Sequence, residues 1–529
     1  MKDEQIIPFI LMQNAESLCK IQSFPDWDVI ISVKTLLEAG KKHERSLIMK
    51  HMRRRIACFV LAAGMMTTAA SAAQLHAGDL NGDDTVDAYD LALLKRDFYA
   101  WEWDKQYDCD VDGNGKQSAK DVSIMQDYLL GRTDTFSPQL SASSVQLGTE
   151  YEGSAGTVPK PDDAFRSAQM EFAVDLFRQT AQNDESTMIS PLSVMLALSM
   201  TANGADTQTL SEMEQVLGGG MSMDELNQNL AGYVSRLGNQ LNAANSIWFR
   251  DCERFTVSEE FLQTNISYYD AEIYKAPFDE QTVDDINLWV EQNTDSMIDK
   301  IIKELKKNDI MALINAVAFD ANWESQYEDF QVEDGIFTDV SGTQQDAEMM
   351  QSVEKNYYDF GNAVGFSKDY AGYDYRFVAI LPDEEMTVSE WIGQMDADAV
   401  LTELADGEYA TVHAQLPKFK CSTSLNLNEV LYDMGMPTAF DSSAADFSRL
   451  GENPYNMYIS TVLHKTEIDL NEKGTRAAAA TVVMISDECA PMPPENTYYV
   501  TLDRPFVYMI VDARTDLPVF MGTVQSLGQ

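Results

Sequence analysis

"NEKGTRAAAATVV", residues Asn471 to Val483, follows the strand-like run "STVLHKTEIDL", Ser460 to Leu470, and dissolves into "MISDECAPMPPENTYYV", Met484 to Val500. Four consecutive alanines are too small-sided for a good core strand and too apolar for an ordinary loop. High helix propensity would make them a short helix. The flanking Gly474, Thr475, Thr481, Val482 and Val483 argue against one, because glycine weakens helices and β-branched residues favour extended chain.

Around this stretch lie 529 residues of ordinary globular composition, 45% hydrophobic and 10% aromatic. The length predicts two or more folded units, at least one with a sizeable core. Only the charge is extreme, with a formal net value of -47. Such a surface repels nucleic acid and anionic membrane at long range, so neither is expected as a partner, and solubility is its meaning.

"MKHMRRRIACFVLAAGMMTTAASAAQ", Met49 to Gln74, carries three arginines, an apolar core from Ile56 to Met66 and small residues ending in Ala70-Ser71-Ala72. This is the pattern of a secretory signal peptide over 49–72, too short to span a membrane, and it predicts a secreted, extracellular protein. A signal belongs at an N-terminus, so translation is expected to start at Met49 or Met52, leaving 1–48 untranslated or disordered; a cytoplasmic extension with an internal anchor is the alternative. Cys109, Cys252, Cys421 and Cys489 remain beyond the signal, scattered without close pairing. No disulfide framework is expected, and a reducing exterior would suit the chain.

Two segments repeat one pattern: "GDLNGDDTVDAYDLALLKRDF" from Gly78 and "CDVDGNGKQSAKDVSIMQDYLLG" from Cys109. Oxygen-bearing side chains recur at alternate positions, a closing carboxylate follows, and an apolar run then supplies one helix. That spacing wraps a hard cation such as calcium, which needs six or more oxygens. The first loop offers Asp79, Asn81, Asp83, the Thr85 carbonyl, Asp87 and Asp90; the second offers Asp110, Asp112, Asn114, the Lys116 carbonyl, Ser118 and Asp121. The tandem resembles dockerin, a small all-α, calcium-binding module with two loop-helix repeats, expected over 73–132 with two Ca2+ ions. Closing Asp in place of Glu, and the lack of a helix before each loop, favour dockerin over an EF-hand pair. Asp84 stands where the loop normally has glycine, as Gly115 does in the second copy, which weakens the first site. The resemblance implies docking to a cohesin on a cellulosome scaffold through Ala88, Tyr89, Lys95 and Arg96 in one copy and Ala119, Lys120, Gln126 and Asp127 in the other. These two faces differ, so one docking orientation is expected.

"TDTFSPQLSASSVQLGTEYEGSAGTVPKP" is rich in Ser, Thr, Gly and Pro, and residues 133–161 read as a flexible linker. From Asp162 onward helical and strand patterns mix without strict alternation, which predicts an α+β fold. "DAFRSAQMEFAVDLFRQTAQ" puts Phe165, Phe172, Leu176 and Phe177 on one helical stripe, and "TLSEMEQVLGGG" and "VDDINLWVEQNTDSMIDKIIKEL" also read as helices. "DIMALINAVAFDANW", "YRFVAILPD", "YATVHAQLPKFK" and "RPFVYMIVDARTDLPVFMGTV" read as strands. No HExxH, GxSxG, phosphate-cradling loop, CxxC pair or Ser/His/Asp set with recognisable context is present.

The alanine stretch and its neighbours resemble the hinge and C-terminal strands of serpins, the serine protease inhibitors. Further matching segments are "MISPLSVMLALSMTANGADTQT", "NSIWF", "INLWVEQNTDSMI", "LINAVAFDANWESQYED" and "LPKFKCSTSLNLNEVLYDMGMPTAFDSSAADFS", so the resemblance covers 162–529. "TDSMI" departs from it, where the family more often has Gly-Lys before the Ile. The resemblance implies a serpin fold, three β-sheets with surrounding helices and an exposed reactive loop. It also implies a mechanism without enzymatic turnover or any cofactor in this domain. A target serine or cysteine protease cuts the loop, is held as an acyl adduct, and the loop inserts as a new strand in the main sheet. Thr475, Ala477, Ala479 and Thr481 would then face inward and Arg476, Ala478 and Ala480 outward, with Glu472 and Gly474 completing the hinge. The family's spacing from Gly474 puts the reactive bond between Glu488 and Cys489. Ser190, Ser193, Asn315 and His464 match a cluster that controls sheet opening, and Trp323 an aromatic where insertion begins. A non-inhibitory serpin-fold binding module and a dockerin-borne polysaccharide hydrolase are the alternatives.

Overall fold

The computed structural model describes residues 80, 86, 88–98, 111, 119–130, 140–141, 143–147, 158–181, 184–294, 296–475 and 496–527. The chain divides into two compact units, Met1–Cys109 and Asp110–Gln529. In the first, α1 spans Ala88–Phe98; the second opens with α2, Ala119–Leu129. Each helix starts directly after a carboxylate-rich stretch, as the repeat predicts.

The larger unit continues with α3 (Asp163–Thr180), α4 (Pro191–Ala202), α5 (Thr207–Gly218), α6 (Met223–Val234), α7 (Glu259–Tyr269) and α8 (Glu280–Asn293). Asp162 caps α3 by accepting from the Phe165 N–H at 2.8 Å, and the expected stripe of Phe165, Phe172, Leu176 and Phe177 is buried. α8 is shorter than its sequence pattern, which ran on to Leu305. The chain leaves the helix at Thr294, and Asn287 then accepts from the Ile301 and Ile302 N–H groups and donates to the Ile302 carbonyl. Ile298 and Ile302 are thereby buried against the helix without being part of it. No described helix is long and apolar enough to cross a membrane.

The strands are β1 (Val145–Leu147), β2 (Met188–Ile189), β3 (Leu241–Arg250), β4 (Thr256–Val257), β5 (Glu272–Ala276), β6 (Met311–Phe319) and β7 (Ala321–Asn322). Next come β8 (Val332–Thr338), β9 (Gln344–Asp359), β10 (Ala363–Asp369), β11 (Tyr375–Pro382), β12 (Glu408–Pro417) and β13 (Phe419–Asn426). The last are β14 (Gly451–Glu452), β15 (Leu463–Leu470), β16 (Gly474–Thr475), β17 (Thr497–Thr501), β18 (Phe506–Asp512) and β19 (Pro518–Val524).

One sheet runs β1-β5-β3-β6 and a second β13-β15-β16-β7. Since β7 continues β6 past Asp320, the two are halves of one surface. Among the described residues no ladder joins β6 to β15, so a slot separates the halves below the short β16. A third sheet runs β17-β12-β9-β10-β11-β18-β19-β2, with β8 also on β9. β18 and β19 are buried along their whole lengths, as strands covered on both faces must be.

Helix α8 lies on the β1-β5-β3-β6 half over a separate apolar cluster that includes Trp248, Tyr274, Ile286, Trp289 and Ile314. Here the flexible-linker expectation is corrected at its centre. Val145, Gln146 and Leu147 pair antiparallel with Lys275, Tyr274 and Ile273. Asp285 of α8 accepts from the Ser141 N–H at 3.0 Å and from the Ser141 and Ser144 hydroxyls, and Leu140 packs on the apolar cluster. Ser and Val in this segment supply donors and an edge strand, which outweigh its loop-like composition. Burial alone would raise the Asp285 carboxyl, but these serine donors outweigh it and hold it below the usual range.

Candidate functional site

The turn Asn471–Gly474 returns the chain from β15 into the top of the slot. Thr475 pairs with Leu470 on one side and Ala321 on the other, so the last described residue before the alanines occupies a strand position. The turn's carbonyls are engaged: Trp323 Nε1 donates to Asn471 O at 2.9 Å, the Tyr327 N–H to Glu472 O at 3.0 Å, and the Trp323 N–H to Lys473 O at 2.8 Å. The Asn471 N–H closes the turn on Gly474 O at 2.9 Å. A Cβ on Gly474 would lie 2.0 Å from the Ala321 carbonyl oxygen, a distance no side chain tolerates. Thr475 is 2% exposed, and its hydroxyl shares a 2.6 Å hydrogen bond with that of Tyr370.

Glu472, Gly474, Thr475 and Trp323 are thus brought together, and the structure adds residues that sequence reasoning missed. Tyr370 stacks on Trp323 with centroids 4.5 Å apart. Lys368, 3% exposed, places its ammonium 4.4 Å from the Tyr327 ring centroid and 3.0 Å from Glu354 Oε1. Lys418 reaches Glu472 at 2.9 Å and Glu348 at 3.1 Å. Burial pulls the Lys418 ammonium down, but the two carboxylates outweigh it and raise it; the Lys418 hydrogen bond in turn lowers Glu472. Lysines in half-buried strands were the available signal, at Lys368 inside "AVGFSKD" and Lys418 inside "LPKFK".

Lower down, Ser190, Ser193 and His464 form a connected cluster. The Ser190 N–H donates to His464 Nε2 at 2.9 Å, the Ser190 hydroxyl to Val519 O at 2.9 Å, and the Ser193 N–H to Ser190 Oγ at 3.2 Å. This ties α4 to β15 and β19. Burial pushes His464 down to about 4, so it is neutral and free to accept. Asn315 belongs to a different pair: its Nδ2 donates to Asn245 Oδ1 at 2.8 Å across the β3–β6 ladder, and its buried Oδ1 has no partner among the described residues. Ala477, Ala478, Ala479, Ala480, Glu488 and Cys489 lie outside the described residues.

Among the proposed metal donors, Asp90 alone has a described side chain. It is fully buried at the start of α1 and accepts from the Leu80 N–H at 2.9 Å. Asp79, Asn81, Asp83, Thr85, Asp87, Asp110, Asp112, Asn114, Lys116 and Ser118 lie outside the described residues, as do the side chains of Asp121, Ala119 and Lys120. A buried carboxylate ending an oxygen-rich loop is the donor chemistry a calcium ion takes. Tyr89 is 61% exposed on α1, beside exposed Ala88 and Arg96 and half-buried Lys95.

The serpin (serine protease inhibitor) family profile matches residues 167–527, and the dockerin type I domain profile matches 77–130. The chain is 30% identical over 364 residues to an uncharacterized serpin-like protein of Thermococcus kodakarensis, covering 67% of this chain and 84% of that one. It is 28% identical over 383 residues to serpin B6 of Macaca fascicularis, covering 69% of this chain and 100% of that one. Among solved structures, the thermophilic serpin tengpin in the native state aligns with a TM-score of 0.68 at 44% identity, covering 73% of this chain and 100% of that chain. The latent state of tengpin aligns at 0.63 and 42%, covering 70% and 100%. The split sheet with the Gly474 turn at its top has the architecture of a protease-inhibitor fold; this chain belongs to the serpin family and carries a type I dockerin.

Proposed function

We propose that the chain is a secreted inhibitor that presents residues 476–495 as bait, is cut between Glu488 and Cys489, and traps its target protease by drawing the alanine run into the slot. The target's Ser Oγ, or Cys Sγ, attacks the Glu488 carbonyl carbon. The Glu488–Cys489 bond breaks, the new Cys489 amine takes the proton, and the target remains joined to Glu488 as an acyl ester or thioester. Insertion then continues from Thr475, with Ala477, Ala479 and Thr481 inward. The protein contributes no turnover chemistry of its own. Through its dockerin, holding two calcium ions, it docks on the cohesin of a cellulosome scaffold. The supporting observation is Thr475, already in register between Leu470 and Ala321 at the mouth of the slot.

Incubation with a panel of serine and cysteine proteases tests this reading. A denaturant-stable adduct should form, and mass spectrometry should find a released peptide beginning at Cys489. Cleavage without adduct would leave a serpin-fold binding module in its place. A peptide starting more than two residues from Cys489 would show that the loop is not measured from Gly474.

A further inference from the structure

Val353 of β9, His413 of β12 and Tyr499 of β17 are register partners, so they form one row across three adjacent strands. All three are exposed, Val353 by 61% and Tyr499 by 76%, while Val412, Ala414 and Val500 on the opposite face are buried. The His413 and Tyr499 rings stack with centroids 4.8 Å apart and planes 12° from parallel. At the other flank of β9, Gln331 Nε2 donates to the Gln351 carbonyl at 3.1 Å, bringing up Phe330, which is 79% exposed. Exposed Glu333, Asp334 and Glu408 stand on the strands around this row, with Lys355 the exposed cation on its own face of β9.

Isolated exposed rings need no explanation, but a contiguous row of them marks an interaction surface. Interface energy concentrates in such aromatic anchors, and a stack held on a sheet loses little freedom when it is covered. The occupant follows from where the chain outside the described residues ends. Residues 476–495 rejoin the structure directly before β17. An extended chain from Cys489 to Tyr499 reaches at most about 35 Å, and a folded domain is roughly 30 Å across, so the row lies within reach of a body held at the bait bond.

Resting on the inhibitory reading above, we infer that Val353, His413, Tyr499 and Phe330 form a second contact for the attacking protease, made before the bait bond is cut. Its partner surface is an apolar recess bordered by basic residues, complementary to the acidic surround and to Asp487 and Glu488 of the bait. The bait supplies the bond to be cut; the row speeds encounter and selects among proteases of one cleavage preference.

The test uses the full chain with a Glu-specific serine protease and a subtilisin-type serine protease. The second-order rate of adduct formation is measured for the parent, Val353→Ser with Tyr499→Ser, and Phe330→Ser, which lies outside the strand that anchors the bait. The expected result, with at least one enzyme, is a fall of about tenfold or more in both variants, with the adduct-to-cleaved ratio and the thermal midpoint unchanged. Equal rates in all variants, for an enzyme that forms the adduct, overturn the inference and leave the inhibitory reading standing. So does loss of self-association in the variants at unchanged rate, which assigns the row to a second copy. No adduct from the parent with either enzyme removes both.

Discussion

Thr475 offers the most direct test of the slot, because its small hydroxyl side chain is sealed between β15 and β7 against Tyr370. Thr475→Arg forces an unpaired charge into that position at a cost of several kcal/mol. The variant should be cut at the normal rate yet release the protease, so gels should show cleaved inhibitor and no adduct; full adduct yield would disprove the inward placement. His464 gives a test of a different kind. Its folded value, about 4, lies below its ordinary 6.5, so the unfolded chain takes up the proton first as pH falls. Its contribution is complete above about 6.5 and declines toward about 4, amounting to about 2 kcal/mol between pH 7 and pH 5. His464→Gln should narrow the difference between urea midpoints at those two pH values; an unchanged difference would count against a neutral, accepting imidazole.

At the level of elements, the segment from Leu140 to Leu147 fastens α8 to the sheet edge. Asp285→Ala removes the acceptor of two serine hydroxyls and one N–H, each bond to a charged group contributing about 1.5–3 kcal/mol. Amide exchange in β1 and β5 should quicken by tenfold or more, with β18 and β19 unaffected; equal protection would show that the β1–β5 ladder stands without the clasp. Sequence gave no hint of this, since Ser141 and Asp285 stand 144 positions apart and a Ser-rich stretch reads as loop. The helices and strands themselves were legible where periodicity was strong, as in α3 and in β18 and β19. Periodicity misled after Thr294, where Ile298 and Ile302 keep helical spacing yet are buried by a loop folded around Asn287. The hinge was legible because its residue sizes are unusual. The ionic knot of Lys418, Glu472 and Glu348 was not, because a charge network depends on which strands become neighbours.

For the whole molecule, the repeats and the serpin domain are expected to respond to different conditions. Chelation of calcium should abolish cohesin binding and the helical signal of residues 73–132, whose carboxylates repel one another without a cation. The thermal transition of the serpin domain should not move; a shared transition would show that the metal supports both. The net charge of -47 should also make encounter with a basic protease fall steeply between low and physiological salt, as Debye screening shortens.

The missing ladder between β6 and β15 has a further consequence on the inhibitory reading. Among the described residues β6 and β15 have no ladder with each other, and the sequence just beyond Thr475 is a run of small residues suited to complete one. On this reading the fold in hand is not the deepest minimum open to the chain, and its persistence is a question of lifetime, not of equilibrium. A single melting temperature would not describe such a molecule. Its apparent midpoint should climb with heating rate, and a sample annealed just below that midpoint should return to room temperature intact in its secondary structure, more heat-resistant than before, and unable to trap a protease.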